Sequence, residues 1–278
     1  GSFPRRQELP IGSFIEGVPP RHCRKFVVSH GWESEVHPSP SGGKMAKLSM
    51  ALQKLNADDD DVVFFDFLSN TQEAKMGRKY DKDQPFAGAA PRDATAEAYF
   101  RHNKVAFISG RTEKQLAQFR YAMWDMGRLY AYEQCEVIVL PVLEGLQSFP
   151  GGEVWGMVNS TPYEFRGWCC SEFATALKCG RIVNLMEPEV QHVYKSRTWP
   201  ETPSDYAEMM QYTRRNDVER NAKEGLIYNH ESGVDFVASG DRQVVLQNFF
   251  KVTFDPQAYA QVLRETAQLA RARLDVQP

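Results

Sequence analysis

No run of apolar residues in this chain approaches the roughly 20 needed to cross a bilayer. The longest, such as VIVLPVL at 137–143, fall far short, so the chain reads as soluble. Basic clusters are missing too. Thirty-three Lys plus Arg face 36 Asp plus Glu for a net charge of −3, which excludes a polyanion footprint and leaves no expectation of nucleic-acid or membrane partners. Cysteine is sparse and unpatterned: Cys23, Cys135, Cys169, Cys170 and Cys179 include no CxxC, and the six histidines do not complete a zinc set. Reduced thiols in a reducing, cytoplasmic setting are therefore expected, with no metal. Neither GxGxxG nor GxxxxGK[ST] occurs, which disfavours a Rossmann dehydrogenase or a P-loop enzyme. There is no internal repeat, no low-complexity tract and no signal-type apolar segment, and the leading Gly1-Ser2 reads as an expression scar.

What is present suits a large globular domain. A hydrophobic fraction of 42% over 278 residues is enough to bury a substantial core. Residues 1–24, rich in proline and arginine, read as a loosely held arm. KFVVSH, 25–30, reads as a buried strand ended by Gly31, and a polar loop then leads to a helix carrying Met45, Leu48, Leu52 and Leu55. DDDDVVFFDF repeats the scheme: a solvated acidic turn, without the alternating spacing of a calcium loop, then a strand apolar enough for the interior of a parallel sheet. An irregular insertion follows at about 69–111, with VAFISG as a further short strand. Helical spacing resumes from Thr112 to Tyr132, with Leu116, Phe119, Met123, Met126 and Tyr130 on one face. CEVIVLPVL is the next strand, SEFATALKCG a helix closing at Gly180, and RIVNLM another strand. Strands alternating with helices predict an α/β fold: an open, mostly parallel sheet with helices on both faces. After Pro188 a C-terminal extension, 188–278, is helical near 205–223 and 256–274 and is expected to pack on the same domain.

Open sheets of this kind bind ligands outside the carboxyl ends of their strands. The loop after the first strand supplies His30, Trp32, Glu33 and His37, and the segment after the third leads to YEFRGWCCSEF, 163–173. FVVSHGWES, FFDF, CEVIVLP and the W-C-x-x-E motif Trp168–Glu172 together resemble the Toll/interleukin-1 receptor (TIR) domain family, over about residues 25–187. The resemblance implies a three-layer, flavodoxin-like fold. It also implies that Glu172 is the catalytic residue of an NAD glycohydrolase or ADP-ribosyl cyclase, an enzyme of immune or virulence signalling that acts in the cytoplasm or after delivery into a host cell. By the same resemblance Ser29, His30, Gly31, Trp32 and Glu33 shape the nucleotide pocket, NAD is substrate rather than cofactor, and self-association into a homo-oligomer completes the site. The insertion, the ESEVHPSPSGG loop and the C-terminal extension depart from the family pattern.

The residues themselves leave alternatives open. Glu172, read at the N-terminal turn of a helix, is either a working carboxylate, ionised enough at neutral pH to act, or a cap. Trp168 is pocket wall or core. Trp32 stacks on a flat ring or anchors its loop. Arg166 forks a phosphate or binds a backbone carbonyl. Asp66 lies at the rim or caps a turn. Cys169 and Cys170 are packed thiols, or nucleophiles of a cysteine hydrolase. Besides NAD cleavage, a non-catalytic TIR-like adaptor and an N-ribosyl hydrolase of another nucleotide stay in view.

Overall fold

The computed structural model of the chain describes residues 22–32, 38–39, 42–70, 112–142, 161–236 and 240–253, the pairs 147–148 and 154–155, and positions 9, 13 and 20. Glu33 and His37, most of the N-terminal arm, the insertion from 71 to 111 with its VAFISG segment, and the helical spacing over 256–274 lie outside the described residues.

The β-branched and aromatic run Lys25–His30 forms β1, with all six residues buried. It is the central strand of a parallel sheet ordered β2-β1-β3, between β2 (Val62–Phe64) and β3 (Cys135–Leu140). Strand side chains alternate between faces. Val27, Val137 and Val139 therefore enter one apolar cluster, while Phe26, Val28, Ile138 and Leu140 enter another. The second cluster is closed by Leu48 and Leu52 of α1 (Gly43–Lys54) and Leu55 at its C-cap, and by Phe67 of the short α2 (Asp66–Ser69). The first takes Met123 of α3 (Glu113–Asp125), Met126 and Tyr130 beyond it, and the apolar face of α4 (Gly167–Lys178). The chain is thus a mixed α/β fold whose small open parallel sheet is covered on both faces, as parallel strands require.

Several local expectations change. Among the described residues β2 pairs only with β1, at the edge of the described sheet rather than inside it, and Val63 is exposed. The apolar residues after it leave the sheet, Phe65 and Phe67 turning into the second cluster. Met45 is exposed on α1, whereas its neighbour Lys44 is buried. RIVNLM makes one parallel bridge, Val137 to Ile182, and no further strand. The Asn184 side chain takes over the pairing: its amide donates to the Val139 carbonyl at 2.9 Å, and its oxygen accepts from the Val139 N–H at 2.9 Å.

Residues after 187 complete the first cluster. They contribute Val190 and Val193 from α5 (Pro188–Lys195), Tyr206, Met209 and Met210 from α6 (Pro203–Gln211), and, beyond α7 (Val218–Glu224), Val245 and Phe249 from α8 (Asp241–Thr253). Tyr206 stacks on Phe249 at 3.6 Å. This region also fixes where α4 begins. The Gly167 N–H donates to the Asp235 carbonyl at 2.8 Å, and Phe236 lies so close that a Cβ on Gly167 would sit 2.0 Å from its ring.

Candidate active site

Ser29, the fifth residue of β1, lies on the same strand face as Val27, where a core would take an apolar side chain. Its hydroxyl instead donates to Oε2 of Glu172 at 2.5 Å. Tyr163, in the 3-10 turn Tyr163–Phe165 before α4, places its phenol 2.5 Å from the same Ser29 oxygen. Serine has one proton to give, so with that proton on Glu172 the Tyr163 hydroxyl donates to serine. Tyr130, between α3 and β3, donates to the Val28 carbonyl at 3.3 Å and lies close enough to Glu172 to help lower its proton affinity. Ser29, Tyr130 and Tyr163 are buried, while Glu172 keeps part of its surface open.

Burial is the largest influence on Glu172 and pushes its carboxyl up to about 8. The Ser29 hydrogen bond opposes that rise, the negative charge of Asp66 adds to it, and the neighbouring Tyr130 phenol opposes it again. Burial thus outweighs the influences that favour the charged form, and the acid form predominates at neutral pH. The position of Glu172 in the helix is corrected. α4 starts at Gly167, with Arg166 as N-cap and no side-chain cap. Glu172 lies in the second turn, beyond the reach of the helix dipole, and it caps nothing. The Gly167 to Asp235 bond starts the helix earlier than the SEFATALKCG pattern suggested.

The loop after β1 is held by a clasp centred on Asp66. His30 Nε2 meets Oδ1 at 2.8 Å, Trp32 Nε1 donates to Oδ2 at 2.9 Å, and the Phe67 N–H donates to Oδ1 at 2.5 Å. Burial pushes Asp66 up, but His30 and these hydrogen bonds outweigh it and hold the carboxylate below its usual value. His30 also stacks on Phe65 at 4.1 Å, and Trp32 packs edge-on against Phe67. Of the two readings of Trp32, the loop anchor is the one observed. Asp66 acts as a clasp between the ends of β1 and β2.

Arg166 donates through Nε to the Thr161 carbonyl at 2.6 Å and through Nη1 to the Trp32 carbonyl. Its guanidinium thus ties the first loop to the segment before α4, the backbone-carbonyl role. Gly31 permits the approach, because a Cβ there would stand 2.9 Å from Nη1. Trp168 is partly buried against the first cluster, and its indole N–H donates to Asp241 Oδ2 at 2.9 Å, which pins α4 to α8.

The paired cysteines are packed thiols. Cys169 donates to the His30 carbonyl at 3.5 Å, and burial, with the charge of Glu172 added, pushes it well above the usual thiol value. Cys170 donates to the Glu164 carbonyl at 2.8 Å and is pushed up by burial to about 11. Neither supplies the thiolate that a cysteine hydrolase needs.

Three residues were not assigned to the rim from sequence. Tyr130 read as core, which it also is, and Tyr163 carried no signal besides its place in the aromatic stretch before the motif. Lys44 is buried at the start of α1, donates its ammonium to the Val142 carbonyl at 2.9 Å, and is close enough for its charge to oppose the rise at Cys169. Among the described residues no group of three or more His, Cys, Asp or Glu is arranged to hold a metal ion, and no helix is long and apolar enough to cross a membrane.

The described residues thus define an α/β protein with one partly open carboxyl at the C-terminal end of its central strand, enclosed by three hydroxyl groups. Comparison of the chain with protein-family models, curated proteins and solved structures finds no match.

Proposed function

We propose that this protein cleaves the bond between nicotinamide and ribose in NAD, with Glu172 as the catalytic carboxylate. One observation carries the reading: a partly open carboxyl, hydrogen-bonded to Ser29, stands at the C-terminal end of the central strand of a parallel sheet, where such folds bind ligands. The β2-β1-β3 order, extended by the Val137 to Ile182 bridge, is compatible with the TIR-like, flavodoxin-like arrangement that the motif resemblance implies.

The chemistry asks little more of the protein than this. The nicotinamide ring of NAD is already cationic, so when the C–N bond breaks its electron pair neutralises the leaving group without a general acid. Positive charge passes to the ribose. An ionised Glu172 beside the sugar stabilises that oxocarbenium-like charge, as carboxylates do in glycoside cleavage. Capture by water, with loss of its proton, gives ADP-ribose; capture by a nucleophilic atom of the same nucleotide gives a cyclic isomer. A cationic ring arriving beside Glu172 lowers its proton affinity, so substrate binding itself ionises the carboxyl. Self-association belongs to this proposal as the step that completes the pocket.

The test is to incubate wild type and Glu172→Gln with NAD at high protein concentration and resolve the products by chromatography and mass. Release of nicotinamide by wild type alone supports the assignment, and the mass of the second product separates ADP-ribose from a cyclic form. Intact NAD with the wild type overturns it, and equal turnover by both proteins removes Glu172 from the chemistry.

A further inference from the structure

We propose that Tyr163, acting through Ser29, is a positioning residue that clamps the Glu172 carboxyl in the orientation it uses at the rim, with the Tyr130 phenol as its neighbour. This deepens the reading of the same site and rests on it only for the kinetic part of its test.

The argument begins with three buried hydroxyls. Tyr130 and Tyr163 are each 1% exposed and Ser29 is 0% exposed, in a region otherwise built from Val27, Val139, Phe173 and Cys169. Burying a hydroxyl costs free energy unless it is hydrogen-bonded, and packing alone would be served equally well by Phe at either tyrosine and by Ala or Val at Ser29. The three come from separate parts of the chain: β1, the turn between α3 and β3, and the 3-10 turn before α4. They nevertheless meet at one carboxyl.

Proton counting then gives the cluster a direction. Ser29 donates its one proton to Glu172, so Tyr163 donates to Ser29. Tyr130 also has one proton. That proton goes to the Val28 carbonyl at 3.3 Å, and the phenol lies beside Glu172. Burial holds both phenols in the neutral, donating form. The Tyr163–Ser29 chain therefore ends as acceptance at the carboxyl, which is stronger for the anion than for the acid. The other charged group felt at Glu172 is Asp66, which opposes the anion, and no cation is among the main influences on it. The hydroxyls thus do what an arginine does elsewhere, without occupying the open side of the carboxyl. Ser29 is also assigned more narrowly by this geometry: it orients the carboxyl rather than touching substrate.

The test is a titration that needs no substrate. Protein labelled with 13C at the glutamate carboxyl is titrated by NMR, and Glu172→Gln identifies the resonance. Tyr163→Phe and Tyr130→Phe keep the rings and remove only the hydroxyls, so each stands in if the other fails to fold. Each is expected to raise the Glu172 midpoint by about one unit. If NAD is turned over, kcat falls about tenfold with KM little changed, the pattern of a group that acts in the transition state. Midpoints that stay in place in both variants while Tm falls overturn the clamp and leave a purely structural role. A shifted midpoint without NAD turnover keeps the clamp and removes only the proposed reaction.

Discussion

Ser29 and Glu172, 143 positions apart in the chain, share a 2.5 Å hydrogen bond in which the serine hydroxyl donates to Oε2. One partner lies next to the C-terminal end of the central strand, and the other lies on the helix that covers the face to which Ser29 points. The contact fixes the height of α4 against β1, and it sets the proton affinity of the carboxyl against the upward push of burial.

Glu172→Gln should abolish nicotinamide release, with a loss of about 100-fold or more, while the fold persists. Its stability should diverge from wild type with pH. Glu172 has a folded pKa of about 8, above its unfolded value, so its stabilising contribution is fully present below the unfolded pKa and is lost as pH rises through about 8. Thermal melts at pH 5 and pH 9 should show wild type losing roughly 1–3 kcal/mol that the Gln variant keeps. Parallel melts would refute the burial of an ionisable carboxyl.

If Glu172 cleaves NAD as proposed, kcat/KM should rise with pH and level off above about 8, because the proposal makes the ionised carboxyl the active form. A plot of kcat/KM against pH reports the empty site, and kcat alone should show a lower midpoint because the bound cationic ring favours the carboxylate. A flat kcat/KM between pH 6 and 9 would contradict the assignment.

Asp66→Asn should loosen the first loop. The change removes the charge opposite His30 and presents an amide N–H where either Phe67 or Trp32 donates, at a cost of about 1–3 kcal/mol in denaturant unfolding. The folded pKa of Asp66 is depressed, so its contribution is present above the unfolded value and is lost as pH falls through the folded one. Wild type and variant should therefore converge in stability in strong acid.

Thiol reagents at pH 8 should leave Cys169 and Cys170 untouched in the folded protein and label them on unfolding. Peptide mapping after a short alkylation decides this. Rapid modification of either residue would show that the rim opens far more than its hydrogen bonds imply.

Much of this frame was legible in the sequence because it rests on periodicity. Lys25–His30, Cys135–Leu140 and the helix around Leu48 follow from apolar spacing, and Glu172 was reached through its motif. What escaped depends on partners distant in sequence. No local pattern shows that Tyr163 meets Ser29, or that Arg166 spends its fork on Trp32 and Thr161. RIVNLM has the composition of a strand, yet Asn184 replaces most of its ladder with a side-chain amide. The start of α4 was misplaced because Asp235, nearly seventy residues downstream, accepts the hydrogen bond that begins the helix.

That last contact gives the C-terminal region a part in placing Glu172 although none of its described residues bonds that side chain. Asp235 and Phe236 seat the first turn of α4, and Asp241 holds Trp168 one residue further along. The helix is therefore suspended at one end from the C-terminal region and at its second turn from β1. A chain cut after Glu187 would retain every motif of the TIR resemblance and lose the anchor that sets how far the carboxyl projects. The smallest unit able to present Glu172 correctly extends beyond the stretch that carries the signature.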